Sequence, residues 1–501
     1  MILAGTNIAK LVLSSLLTDD HRIAIADELN ALSRRDLMAA VSTAAQSLRE
    51  NGLRNDEFVV VLCNRGLRFW TDLLAVWVVG AKPICVESNV GDDHALNIVE
   101  MTGVRRLLHG GVECPAGFAA LNVLDADYQS LDDRTARDIY ADMRFPDLDK
   151  QSEMAAIIFT SGTTGLPKGV PLSHQALIVN ALSTSHRLRL RETDRLLIAT
   201  PFRFISSLSH FFVTLISGAS FFGIERTLMI KDLLQAMNDL AITAFGGSPF
   251  HVRFVEMAGR ERCLTLRWIM SSGDHLPVTV IDQLEATFPG IELHVVYGMA
   301  ELAGRFCELP PERLVDKRGS VGVPIAGLEF SVRDETGHAC AIGDIGNIYV
   351  SGILGFQGYY GNAAANAKVL GPLGFENGDK GYVDKDGFLF LAGRSDSVFK
   401  RAGLKVSAQI VTDALVALDY VSDAYTTSEE DLIEGNVPVC YIVWSSDEQE
   451  MPVVLSDLRK VLPVNHLPRR LTTLSAIPRT GSGKVDRRKL ADLLANQKKS
   501  E

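Results

Sequence analysis

Apolar and polar positions alternate in two successive rounds along the chain. In the first, apolar residues recur at helical spacing over 33–51, read as a strand over 57–63 (EFVVVLC), as an apolar helix over 69–80 and end in the strand-like KPICV at 82–86. Helix and strand taking turns in this way predict βαβ units and a parallel sheet. The acidic stretch 125–150 reads as a polar connection. The second round starts where Ser173 can cap a helix running through Ala176, Leu177, Ala181 and Leu182. Strand 195–199, a helix near 209–217, strand 220–223, helix 230–240, strand 242–245, helix 250–258 and strand 266–270 follow. The uncharged run 207–224 approaches the length of a membrane span, but His210, its serines and Gly218 interrupt it, and it predicts a buried helix leading into a strand.

The pattern changes after residue 309. Glycines multiply, and short alternating strands (LEFSV, GNIYVSG, GFLFLAG) are separated by turns at 334–337 and 384–387, predicting a small β-rich subdomain. From 398 the chain reads as an α+β unit, with helices at 408–418 and 453–461 and strands at 422–427, 437–444 and 471–476. The expected fold is therefore α/β. Residues 1–395 form a large domain of two doubly wound βαβ subdomains plus the β-rich piece, and residues 396–501 a small C-terminal α+β domain.

Composition narrows the function. With 501 residues, 47% hydrophobic and 22% charged, the chain has ample material for cores. A net charge of −11 argues against nucleic acid as partner, so a polyanionic substrate would need local positive charge. Seven scattered cysteines without a C-x-x-C pair suggest neither a disulfide framework nor a zinc site. The N-terminus lacks a basic start ahead of its apolar part and carries Lys10 within it, unlike a signal peptide. A cytoplasmic location is expected.

Candidate chemistry gathers at strand ends, where doubly wound sheets bind ligands. The stretch 157–169, IIFTSGTTGLPKG, begins as a strand that glycine and proline then stop. Gly162 and Gly165 let the backbone approach a ligand, Thr160, Ser161, Thr163 and Thr164 supply hydroxyls, and Lys168 adds a mobile charge. Donors and a cation converging there suit a polyphosphate. A plain surface loop has the same composition, and the P-loop spacing is absent. Three other turns stand out: TPFRFISS at 200–207, SSGDHLP at 271–277 with Gly273 able to approach a flat base, and VVYGMAE at 295–301. In the last, Tyr297 could stack on adenine and Glu301 could hold magnesium on the phosphates.

The string TSGTTGLPKG resembles the signature loop of the adenylate-forming (AMP-binding) superfamily, and YGMAE resembles its YGxTE motif. The block GDKGYVDKDGFLFLAGRSDSVFKRAGLKVS and the ending IPRTGSGKVDRRKL are similar to two further blocks of that superfamily. The likeness by motif runs from about 155 to 490. It implies nucleotide contacts from residues 160–165, Lys168, Ser272, Gly273, Asp274, Tyr297, Gly298, Met299 and Ala300, with Asp379 and Arg394 on the ribose and Thr160 and Glu301 toward Mg2+. It places the acid pocket at Phe204, Ile205, Ser248, Gly298, Met299 and Ala303, a hinge at Asp396, and the thiol side at Lys400 and Gly403. Lys484, on a glycine loop, is the implied catalytic lysine, alongside Lys168 and Glu301.

The implied reaction is ATP-dependent activation of a carboxylic acid to an acyl-adenylate with loss of pyrophosphate, then transfer to the thiol of coenzyme A. A separate phosphopantetheinyl carrier protein is the alternative acceptor. No acidic residue lies between Pro201 and Phe222 to hold an amino group, so an acyl or aryl acid is expected rather than an α-amino acid. One departure stands out: Ala300 occupies the place of the usual threonine, removing a hydroxyl donor. A nucleotide-binding protein with weakened catalysis is the reading of another class that this departure motivates.

Overall fold

The computed structural model describes residues 6–27, 29–63, 66–128, 134–146, 154–160, 167–200, 204–223, 230–395, 397–402, 404–431, 433–445, 447–480 and 484–497. Its helices begin and end where local chemistry directs. Ser33 accepts from the Asp36 amide at 3.1 Å to start Arg34–Glu50, and Ser173 accepts from Ala176 at 3.0 Å to start His174–Leu188. Gly80, at φ 94°, closes Leu67–Val79. The acidic connection holds a helix that its polarity concealed, Ala136–Asp142, capped by Thr135.

The first sheet has six strands, in the order Asn122–Val123, Arg106–Leu108, Phe58–Cys63, Lys82–Glu87, Met154–Thr160 and Lys168–Ser173. Its pairings are parallel except the last, which is an antiparallel hairpin. The second, fourteen-stranded, carries the parallel run Glu292–Tyr297, Trp268–Ser272, Ala244–Gly247, Arg195–Ile198 and Ser220–Gly223. Two features of it were invisible in local pattern. The strand Ile23–Ala26 leaves the first round and pairs in parallel with Ser220–Gly223. The β-rich strands are also continuous with this sheet, since Cys307–Leu309 pairs with Ser320–Pro324, which pairs with Leu389–Arg394. Periodicity reports a strand's faces but not its neighbour.

Helices from both rounds share one core. Leu67–Val79, buried all round from Phe69 onward, meets Ile205–Ile216 there, with Trp70 stacked on Phe211 at 4.1 Å. Within that run, residues 207–223 are a buried helix followed by the strand Ser220–Gly223, and among the described residues no helix is long and apolar enough to cross a membrane. A third sheet draws only on residues 398–473 and packs its own core around Val406, Val411 and Ile442.

Candidate active site

The threonine-rich loop closes a hairpin, because Thr160 lies opposite Lys168 and Phe159 opposite Gly169. Ser161, Gly162, Thr163, Thr164 and Gly165 fall outside the described residues. The Thr160 hydroxyl donates to the Lys168 carbonyl at 3.4 Å, and the Lys168 ammonium stands 4.7 Å above the ring of Tyr359. Tyr359 is held in place from three sides. The Tyr360 amide donates to Gly169 O at 2.8 Å, while the Asn366 side chain accepts from the Tyr359 amide at 2.6 Å and donates to its carbonyl at 3.0 Å. The Tyr359 hydroxyl then donates to Glu301 Oε1 at 2.9 Å, and burial together with the Glu301 charge keeps that phenol protonated. Lysine, tyrosine and glutamate thus form one connected line.

Glu301 sits in the turn that follows Glu292–Tyr297. A Cβ on Gly298 would lie 1.7 Å from the Gly304 carbonyl, so only glycine fits that crossing. Ala303 at φ 58° and Gly304 at φ 116° bend the chain back, and Asn180 secures the bend by donating to the carbonyls of Leu302 and Arg305 at 3.1 and 2.8 Å. Ala300 is buried in this turn. Met299 packs at the edge of the core, and Phe204 precedes the helix Ile205–Ile216.

A second cluster lies alongside. Asp379 pairs with Arg394 across two neighbouring strands at 3.1 Å and accepts from the Tyr297 hydroxyl. Asn377 donates to that hydroxyl at 2.9 Å and accepts from the Asp379 amide at 2.9 Å. Burial raises the Asp379 carboxyl above the ordinary range, against the pull of Arg394, the Tyr297 hydroxyl and the Lys484 charge. Exposed Lys484 therefore lies within electrostatic reach of Asp379, its loop tied by the Thr480 amide to the Lys484 carbonyl at 2.7 Å.

The turn 272–274 offers the buried Ser272, whose hydroxyl has no hydrogen-bond partner among the described residues, and Gly273 at φ 92° with no described atom beside it. Asp274 accepts from the His275 amide at 2.9 Å, and His275 approaches Asp413 of the small α+β unit at 2.9 Å. Ser248 heads the helix Pro249–Ala258 with its hydroxyl 2.8 Å from His251 Nδ1. Lys400 is not part of this assembly. It pairs with Glu335 at 3.2 Å, and Asp396 and Gly403 lie outside the described residues.

Tyr359, Asn377, Asn180 and Arg305 escaped the sequence reading. Only Arg305 left a trace, as a charge set among the small and apolar residues of LAGRFC at 302–307.

The line of Lys168, Tyr359 and Glu301 lies near the cluster of Tyr297, Asp379 and Arg394, since the Arg394 charge acts on the Tyr359 phenol. The chain belongs to the AMP-binding enzyme family, whose pattern matches residues 17–360. The 2-succinylbenzoate–CoA ligase of Bacillus licheniformis is 31% identical over 68% of this chain and 70% of its own length. That of Bacillus velezensis is 27% identical over 94% and 95%. The anthranilate CoA ligase AuaEII in complex with anthranoyl-AMP superposes with a TM-score of 0.85 at 20% identity, covering 99% of both chains. Both of the Bacillus relatives are named as CoA ligases.

Proposed function

We propose that this protein activates an acyl or aryl carboxylic acid, not an α-amino acid, with ATP and passes the acyl group to coenzyme A. The observation that carries this reading is the proximity of the line Lys168, Tyr359 and Glu301 to the cluster Tyr297, Asp379 and Arg394, whose Arg394 charge acts on the Tyr359 phenol and whose Asp379 feels the Lys484 charge. Relatives named as 2-succinylbenzoate–CoA ligases over most of the chain support an aryl acid and a coenzyme A acceptor.

In this mechanism the acid carboxylate attacks the α-phosphorus of ATP, forming a C–O–P linkage as the bond to pyrophosphate breaks. Catalysis is mostly positioning and charge neutralisation. Lys168 and the hydroxyl loop hold the phosphates, Asp379 and Arg394 the ribose, and residues 272–274 and Tyr297 the base. The Glu301 carboxylate, fixed at one oxygen by Tyr359, and the Thr160 hydroxyl are hard oxygen donors suited to Mg2+. The metal would supply charge neutralisation on the phosphates. Lys484 stabilises the charge developing between acid and α-phosphate.

Thiol attack on the adenylate's carbonyl then releases AMP. The small unit, 396–501, turns about Asp396 for this half, withdrawing Lys484 and bringing in Lys400 and Gly403. The Lys400–Glu335 pair and the Lys484 charge at Asp379 suit the adenylating arrangement. ATP–pyrophosphate exchange across a panel of carboxylic acids tests the proposal. Exchange with an acyl or aryl acid is expected, and its absence with every acid would sink the enzyme reading.

A further inference from the structure

The small unit rests on the turn that follows the strand Trp268–Ser272, through a pair that the adenylation chemistry does not use. His275 Nε2 lies 2.9 Å from Asp413 Oδ2 of the helix Ala408–Val416. The other oxygen of that carboxylate accepts from Gln409 Nε2 at 2.9 Å, one turn back along the same helix, so the carboxylate is held facing His275. The two side chains are 15% and 32% exposed, against 57% and 56% for Lys400 and Glu335, which also join the two units. A pair as exposed as the latter contributes little, whereas a half-desolvated one is felt.

Both partners stand on fixed elements. On the large domain, the His275 amide donates to Asp274 Oδ1 at 2.9 Å, Leu276 is buried and Pro277 heads the helix Val278–Thr287. On the small unit, Ser407 caps the helix Ala408–Val416 by accepting from the Ile410 amide at 3.2 Å, and its hydroxyl donates to the Ala392 carbonyl at 2.6 Å. Ala392 lies in the strand Leu389–Arg394, which also delivers the guanidinium paired with Asp379. One end of the helix is thus pinned beside the ribose cluster and the other, through Asp413, beside the turn assigned to the base. The charged groups that act on His275 are Asp413, from that helix, and Asp274 of its own turn. Burial pulls the His275 pKa down, but the two carboxylates outweigh it and raise the pKa above 6.5.

We propose that His275 and Asp413 are positioning residues for the adenylating half-reaction: their ion pair docks the small unit so that Lys484 faces the reacting phosphate, and it breaks before the unit turns for thiol attack. This inference rests on the ligase reading and assigns residues to its two arrangements. Both side chains act through Lys484, by tilting the balance between those arrangements, and losing a half-buried pair shifts that balance by about fivefold. The proton on His275 belongs to the docked arrangement, because only there does Asp413 stand opposite. Its contribution is complete below the pKa of the undocked imidazole and is lost as pH rises through the raised one, so adenylation falls there while thioester formation does not.

The test measures ATP–pyrophosphate exchange and thioester formation from supplied acyl-adenylate separately, in the full chain. Asp413→Asn and His275→Gln are each expected to lower pyrophosphate exchange about fivefold, through kcat, and to leave thioester formation undiminished. The wild type is expected to lose pyrophosphate exchange on the alkaline side of a transition above pH 6.5, and His275→Gln to lack that transition. Exchanging the partners, His275→Asp together with Asp413→His, is expected to recover the rate, which a variant damaged in folding would not do. Amide hydrogen exchange at 272–276 reads docking without turnover and is expected to quicken about fivefold in Asp413→Asn. Equal loss in both half-reactions, an unmoved pyrophosphate exchange rate, or hydrogen exchange at 272–276 that Asp413→Asn leaves unchanged overturns the docking role. A wild type that exchanges pyrophosphate with no carboxylic acid overturns the ligase reading instead, and hydrogen exchange still decides the pair.

Discussion

Replacing Tyr359 by phenylalanine isolates a single interaction. The ring stays, so the Lys168 ammonium keeps its place 4.7 Å from the centroid and the contact with Phe356 at 4.7 Å survives. What disappears is the hydroxyl that donates to Glu301 Oε1 at 2.9 Å. A hydrogen bond to a charged acceptor contributes about 1.5–3 kcal/mol. Glu301 is partly exposed, so water replaces part of it and the lower end applies. If that interaction is felt in the transition state, Tyr359→Phe lowers kcat for pyrophosphate exchange by about tenfold and raises the Mg2+ concentration needed for half-maximal rate, since a loosened carboxylate holds the ion less well. Stability changes by no more than about 1 kcal/mol. Tyr359→Ala, by contrast, empties a buried aromatic site and costs about 3 kcal/mol in chemical denaturation. Exchange rates titrated against Mg2+ provide the assay. A phenylalanine variant with wild-type rate and wild-type Mg2+ requirement would show that Tyr359 only packs, and would refute the connected line from Lys168 to Glu301.

Three further outcomes follow from the structure. Lys484→Ala should leave unfolding unchanged, because the side chain is exposed, and slow adenylation by about 100-fold while sparing thioester formation from supplied acyl-adenylate; equal loss in both halves would contradict its role. Ala300→Thr should restore a hydroxyl beside the phosphates and raise exchange by about tenfold, at up to about 2 kcal/mol of stability because the turn is buried; an unchanged rate in a folded variant would mean that another donor already serves. His174, buried with its Nδ1 accepting from the Ile8 amide at 3.2 Å, has its pKa lowered from 6.5 to about 4 by burial, with the nearby Lys82 charge adding to it. The unfolded chain takes up that proton first, so the stability is fully present above pH 6.5 and drains away between there and pH 4, by up to about 3 kcal/mol. Urea unfolding across this window should be flatter for His174→Gln, and a slope identical to wild type would assign the acid sensitivity elsewhere.

The sequence by itself determined what depends on neighbours in the chain. Caps at Ser33 and Ser173, the stop at Gly80, and most helices and strands follow from interactions within a few residues. So do the motif strings, since a phosphate cradle or a Tyr-Gly-x-x-Glu turn is built from consecutive residues. Tertiary structure alone decided the partners. That Ile23–Ala26 joins the second sheet, that the β-rich strands extend it, and that Tyr359 reaches back to Glu301 and Lys168 all depend on pairings between residues far apart in sequence. Arg305 shows the limit most clearly. Its letter marks a charge in an apolar run, but its burial, its unpartnered nitrogens and the fold of Asn180 over its backbone exist only once helix, strand and bend have met.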